Sequence, residues 1–241
     1  MEHLDRFADH ISPLLKKDPT LKILAIREAA TRSEIGTVLQ PARYLRKGWL
    51  FNVGLAHATS LSLQNDDCIV THNVNLLPDL TSMRYQMCEQ PTVLCSEVDC
   101  FDGELPYDEY AEGAVAAKKA DWMKVNGYSW NGEGDDLFYR FHLNNLTERF
   151  RIDGVTRPRL RRLRNGKCHC ASTPDRTYAS SVDLQKISDR VQRLRIKQST
   201  EYLHDGVNKV SFKVESCSTY RGNPAIELMQ VSEPLQPVDS G

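Results

Sequence analysis

The stretch Ile69-Val70-Thr71-His72-Asn73-Val74-Asn75-Leu76-Leu77-Pro78-Asp79 begins with apolar and β-branched residues and then turns polar. Its first half reads as the end of a buried strand, and Asn73-Val74-Asn75 as the turn that leaves it. What precedes this strand decides the fold class. Leu4, Phe7, Ala8, Ile11, Leu14 and Leu15 recur at helical spacing, which predicts an amphipathic helix over the first fifteen or so residues. Leu21 to Ile26 reads as a short strand and Leu50 to Ala58 as the next helix, ahead of a strand at Cys68 to Thr71. Helix-strand-helix-strand at this pitch implies an α/β architecture, a parallel sheet covered on both faces.

Further along, Thr92 to Val98 is another strand candidate and Lys118 to Val125 a short helix stopped by Asn126-Gly127. Asp135-Asp136 precede Leu137, Phe138 and Phe141, as acidic residues do at the positive end of a helix, and Asn144-Asn145 would end it. The C-terminal third carries a basic stretch from Arg157 to Lys167, then alternating strands at Val210-Phe212-Val214 and Ile226-Leu228. The expected organisation is one domain over residues 1–231, with a C-terminal β-strand appendage and a disordered tail over 232–241.

The chain has 241 residues, 40% hydrophobic and 26% charged, enough for one sizeable core. Its 31 basic and 32 acidic side chains nearly cancel, so no global field favours nucleic acid or a membrane surface. No run of about 18 apolar residues suggests a membrane span. Seven cysteines, at 68, 88, 95, 100, 168, 170 and 217, leave at least one unpaired and argue against the cytosolic location that a missing signal peptide would otherwise suggest.

Four segments in order carry a family resemblance: Leu50-Phe51-Asn52-Val53-Gly54; the stretch ending Leu76-Leu77-Pro78; Leu105-Pro106-Tyr107-Asp108-Glu109-Tyr110; and Val125-Asn126-Gly127-Tyr128-Ser129-Trp130-Asn131-Gly132-Glu133-Gly134-Asp135-Asp136. They resemble the "LLNVG", "DVDLLP", "LPYxxYFGG" and "NGFxNxxWGWGGEDDD" segments of the β-1,4-galactosyltransferases. His204 to Val210 is similar to that family's late "SDGLNSL". The resemblance implies a GT-A fold, a Rossmann-like mixed, mainly parallel sheet flanked by helices whose strand ends bind a UDP-sugar donor, with a glycan as acceptor. It also implies a disulfide between Cys68 and Cys88 and a Golgi or secretory location. Trp130 matches the loop tryptophan that packs on the donor, Tyr110 a tyrosine that helps select galactose, and Tyr107 and Gly113 belong to the same acceptor segment.

The departures are as informative. The family's first strand and its "PFRxR" segment would precede Glu2, so the chain is expected to be an N-terminally truncated member, with any membrane anchor absent from it. The family holds Mn(2+) with the second Asp of "DVD" and a later Met and His, and those positions align with Asn75, Leu160 and Leu163. An amide and two leucines do not supply the anionic oxygen that a hard cation needs, so no metal is expected at these positions. Asn73 and Asn75 otherwise serve as turn residues that satisfy backbone groups. The family's catalytic base falls on Gly134, leaving Glu133 or Asp135 as the candidate base and Asp136 as a donor or acceptor contact; helix capping is the bland alternative for both aspartates.

Between Arg157 and Lys167 five arginines and one lysine fall within eleven residues. Arg161 and Arg162 are the candidates for neutralising a diphosphate in place of a metal, against the plainer reading of a solvated basic loop. Cys168-His169-Cys170 lacks a second ligand pair at zinc spacing. Two functions follow: a hexosyltransferase of this family, or a catalytically degenerate relative that binds carbohydrate or acts as a partner subunit.

Overall fold

The helical spacing near the N-terminus produces α1 (Glu2–Lys17), which buries Phe7, Ala8, Ile11 and Leu15 along one stripe. Glu2 and Asp5 lie in its first turn and Lys16 and Lys17 in its last, each sign at the matching end of the helix dipole. These and the following elements come from a computed structural model that describes residues 2–29, 47–105, 107–129, 134–152, 154–171 and 200–232. After α1 come β1 (Ile23–Glu28), α2 (Lys47–Ser60), β2 (Cys68–His72), β3 (Leu76–Pro78), β4 (Thr92–Val93) and β5 (Glu97–Val98). Next are β6 (Ala114–Lys118), α3 (Lys119–Lys124), α4 (Gly134–Leu143), β7 (Glu148–Ile152) and β8 (Val155–Arg159). The described chain closes with β9 (Arg161–Arg162), β10 (Lys167–Cys170), β11 (Lys213–Tyr220) and β12 (Asn223–Ser232).

The strands form a four-stranded sheet in the order β2-β6-β4-β9, two three-stranded sheets, β3-β10-β5 and β1-β12-β11, and the hairpin β7-β8. Helices flank mixed sheets in an α/β fold. The expected α/β fold with mixed sheets is found, while the parallel bias is not: five of the eight described pairings are antiparallel. Alternation of helix and strand records chain order and not which strand becomes a neighbour. β2 therefore lies beside β6, running the other way, while β1 takes the C-terminal β12 in parallel with Ile23 opposite Ile226.

The C-terminal strands are thus no appendage. Met229 and Val231 of β12 are fully buried against Trp49 and Val53 of α2, so the last described strand packs into the N-terminal layer. Ser232 belongs to β12, and the expected disordered tail beyond it lies outside the described residues. The expected strand Thr92 to Val98 splits into β4 and β5, because the chain leaves one sheet for another at Leu94 and Cys95, both 0% exposed.

β6 divides the interior. Val115 and Ala117 face a core built with Trp122, Phe138, Phe141 and Leu160. Ala114 and Ala116 face a second core with Leu76, Leu94, Cys95 and Leu163, as the two-residue period of a strand requires. Small alanines on both faces let the strand sit between two packed layers.

Candidate functional site

The strand-end turn comes first. Asn73 Oδ1 accepts the backbone N–H of Asn75 at 3.0 Å, and the carbonyl of Asn73 accepts that of Leu76 at 3.0 Å, an Asx turn that uses the Asn73 side chain internally. The side chain of Asn75 is exposed, while its carbonyl accepts Ala171 N at 2.8 Å. The next layer is Gly113, whose carbonyl accepts Asn73 N at 2.8 Å. With φ +83° and room for a Cβ only 3.0 Å from Leu76 Cδ1, Gly113 is held to glycine by the turn packed against it.

From Gly113 the chain leads back to the tyrosines and forward to α4. Tyr107 donates from its hydroxyl to Asp135 Oδ1 at 2.6 Å, and Arg162 Nη2 donates to the carbonyls of Tyr107 and Asp108 at 3.2 and 3.4 Å. The rings of Tyr107 and Tyr110 meet edge to face, 5.6 Å apart. Burial raises both phenol pKa values; the Asp135 hydrogen bond adds to the rise at Tyr107, and the Glu112 charge adds at both. Both are neutral donors at ordinary pH. The structure therefore brings Tyr107, Tyr110, Asp135 and Arg162 together; Glu133 and Trp130 lie outside the described residues.

Glu112 is a site residue that the sequence did not single out. Its carboxylate accepts the N–H of Gly134 at 3.1 Å, at the first turn of α4, and pairs with Lys47 Nζ at 2.9 Å. A Cβ at Gly134 would fall 2.3 Å from Glu112 Cγ and 3.1 Å from the carbonyl carbon of Ala111. The position where the family is expected to carry its base is thus crowded by Glu112 and the Ala111 backbone. The only sequence signal of Glu112 is adjacency to Gly113.

Asp136, the neighbouring acid, has another employment. It is 1% exposed and accepts Arg140 Nε at 2.6 Å, one helical turn on. Arg140, itself fully buried, also donates to Asp205 Oδ1 at 2.6 Å and to the carbonyls of Asn126 and Gly127 at 3.1 and 3.3 Å. Asn126 Nδ2 reaches the carbonyls of Tyr202 and Asp205 and the side chain of Asn208. Asn52 bonds both backbone groups of Tyr128 at 2.8 Å. Three of the recognisable segments, around Asn52, Asn126 and Asp205, are thus one interlocked scaffold that fixes the start of α4. Asp136 belongs to that scaffold rather than to the exposed face where Asp135 sits.

The basic stretch divides in two. Arg162 faces Asp108 at 3.6 Å, whereas Arg161, its strand neighbour, pairs with Glu89 at 3.5 Å, as side chains on opposite faces of β9 do. Arg161, Arg162 and Arg164 line an open cleft of about 530 Å³ with Arg84, Thr81 and Ser82. β10 runs antiparallel to β3 with Cys170 opposite Leu76 and Cys168 opposite Pro78, so the residues before Lys167 lie beyond the Asp79 end of β3. Asn75 lies at the other end, ~10 Å along a three-residue strand. Arg161 and Arg162 thus share the cleft, and Arg162 also reaches the tyrosine and aspartate group. Leu160 and Leu163 are 2% and 5% exposed and belong to two different apolar cores, and with the exposed amide of Asn75 they offer no donor set for Mn(2+).

Cys68 and Cys88 form the expected disulfide, and Cys95–Cys168 and Cys100–Cys170 add two more, leaving Cys217 free. The last two staple β10 to the segment around β5. His72 packs beside them, its ring flanked by Phe7 and Tyr85 at 4.9 and 5.8 Å. Burial pushes its pKa from 6.5 down to about 4, with the Asn73 carbonyl opposing. Because the folded value lies below the unfolded one, this contribution to stability is complete above pH 6.5 and is lost as the pH falls from 6.5 to about 4. It amounts to ~3 kcal/mol at most. The urea midpoint of His72→Gln should accordingly change less with pH across that window than that of the parent chain; equal slopes would refute the assignment.

Comparison with known proteins accords with this geometry. A family model described as the N-terminal domain of galactosyltransferase matches residues 93–166, which hold Tyr107, Gly113, Asp135 and Arg162. Human beta-1,4-galactosyltransferase 6 is 32% identical over 146 residues, covering 58% of this chain and 35% of the human protein. Beta-1,4-galactosyltransferase 4 of Cricetulus griseus is 28% identical over 151 residues, 60% of this chain and 40% of that protein. The chain spans little more than a third of the length of these curated relatives. Among solved structures, a mutant of Drosophila beta-1,4-galactosyltransferase 7 in complex with manganese, UDP-Gal and xylobiose superposes with a TM-score of 0.65 at 16% identity, covering 98% of this chain and 90% of that one. The catalytic domain of the same Drosophila enzyme with xylobiose gives 0.64 at 17% identity. With the fold shared and the similarity running through the site segment, the chain has a GT-A fold and is similar to the β-1,4-galactosyltransferases.

Proposed function

We propose that the chain transfers a hexose, galactose or a close relative, from a UDP-sugar to a hydroxyl of a terminal sugar on a glycan. The observation that carries this reading is the 2.6 Å contact between Tyr107 and Asp135 at the first turn of α4, beside Arg162 and the strand-end turn. In this reading Asp135 takes the proton of the acceptor hydroxyl, the freed oxygen attacks the anomeric carbon of the donor, and the bond to the diphosphate breaks with its electron pair leaving on UDP. Tyr107 orients the carboxylate, Tyr110 and Trp130 pack on sugar, and Gly113 and Asn75 shape the floor. Arg162 supplies the fixed positive charge that meets the leaving diphosphate, since the manganese ligands have no counterpart here.

UDP titration by calorimetry tests this. Affinity should be unchanged by EDTA, fall about tenfold or more in Arg162→Ala as expected for a lost charge-assisted contact, and change little in Arg161→Ala. Binding that requires added manganese, or an unchanged affinity in Arg162→Ala, would sink it. The three disulfides fit folding in an oxidising lumen, which supports a Golgi or secretory location.

A second reading, a non-catalytic relative that binds carbohydrate or a partner subunit, is favoured by the burial of Leu160, Leu163 and Asp136. Glycan binding without turnover of UDP-galactose, in the presence or absence of manganese, would select it.

A further inference from the structure

We propose that His72, Cys95 and Cys168 form a redox-gated site for a soft divalent cation of the zinc type, closed while the two cysteines are joined and open when they are reduced. A ring nitrogen of His72 and the two sulfurs lie within 4.8 Å of one another. The sulfurs belong to the buried Cys95–Cys168 disulfide, with both residues at most 1% exposed.

The histidine is arranged as a metal-binding histidine is. Its Nδ1 lies 3.0 Å from the carbonyl oxygen of Asn73. A carbonyl only accepts, so the ring proton sits on Nδ1 and the lone pair on Nε2. That Nε2 is shielded from solvent and has no hydrogen-bond partner among the described residues, an arrangement that costs stability unless the lone pair meets another demand. The rings of Phe7 and Tyr85 flank the imidazole and keep it neutral and dry. Two thiolates and one neutral imidazole balance a divalent charge and make a soft donor set that a hard cation such as manganese does not favour.

The gating step balances. A dithiol reductant attacks the Cys95–Cys168 bond, the pair takes up two electrons and two protons to become two thiols, and the reductant closes to its own disulfide. The cation then displaces the two thiol protons. His72 directly precedes Asn73, so an ion held here is anchored to the same turn that presents Asn75. The inference does not rest on the transfer reaction.

The test uses the full chain carrying Cys100→Ser, Cys170→Ser and Cys217→Ser, which removes the neighbouring Asp99, Cys100 and Cys170 group and the free thiol. Cobalt(II) is titrated before and after reduction with a phosphine that is then removed by desalting. The reduced protein should bind one cobalt per chain with a thiolate charge-transfer band of two-sulfur intensity that zinc abolishes, and the oxidised protein should show none. Cys95→Ser should lose the band, and His72→Phe or His72→Gln, whichever keeps the parent circular dichroism when oxidised, should bind at least tenfold more weakly. No band after reduction, an undiminished affinity in the histidine variant, or loss of the fold on reduction that zinc does not reverse would each overturn the proposal.

Discussion

Replacing Arg140 by alanine is expected to lower the stability of the chain by ~3–5 kcal/mol, the range for breaking a buried ion pair from one side. Arg140 is fully buried and its guanidinium serves two carboxylates, Asp136 and Asp205, and the carbonyls of Asn126 and Gly127. Its removal takes the guanidinium from the Asp136 carboxylate at 1% exposure and loosens the segment around Asp205 from the start of α4. Arg140→Lys keeps the charge but loses the planar fork, so it should recover only part of the loss. The double variant Arg140→Met with Asp136→Leu should be less damaged than Arg140→Ala, because the fully buried carboxylate is gone and only the more exposed Asp205 loses the guanidinium. Urea midpoints read all three; an alanine variant within 1 kcal/mol of the parent, about the value of an ordinary hydrogen bond, would show that the network is not the scaffold described.

Asp135→Asn is expected to reduce transfer from UDP-galactose by ~10²–10⁴, the usual contribution of a positioned general base. The amide oxygen can still accept the Tyr107 hydroxyl, so the loop geometry and UDP affinity should survive while the proton acceptor is gone. That split of lost turnover with retained binding separates chemistry from folding. Tyr107→Phe should cost less, because it loosens the carboxylate without removing it. If Asp135→Asn keeps its turnover within threefold, the base lies elsewhere, and Glu133 becomes the carboxylate to replace next.

Much was legible in the chain itself. All four helices fall on segments expected to be helical, and α3 and α4 end where Asn126-Gly127 and Asn144-Asn145 stop them, Asn145 with a left-handed φ of 58°. The strand leading into Asn73-Val74-Asn75 was visible from its β-branched run, and the Cys68–Cys88 pair followed from resemblance. Through the resemblance, Asn75, Leu160 and Leu163 were readable as a loss of metal ligands, the one carboxylate included; both leucines are buried in the core.

What the chain could not reveal alone is direction and distance. Adjacent residues on a helix diverge by roughly 100°, so no pattern told that Asp135 meets Tyr107 while Asp136 turns inward to Arg140. Adjacent residues on a strand point to opposite faces, which sends Arg162 to Asp108 and Arg161 to Glu89. Glu112 reaches Gly134, and His72 reaches Cys95 and Cys168, across separations that only chain folding closes. The sequence by itself determined the four helices, the strands β1, β2 and β12, the family segments and the missing charge at the turn. Tertiary structure alone decided which acid stands beside the tyrosine and which cysteines face the histidine, because long-range pairing is a property of packing and not of periodicity.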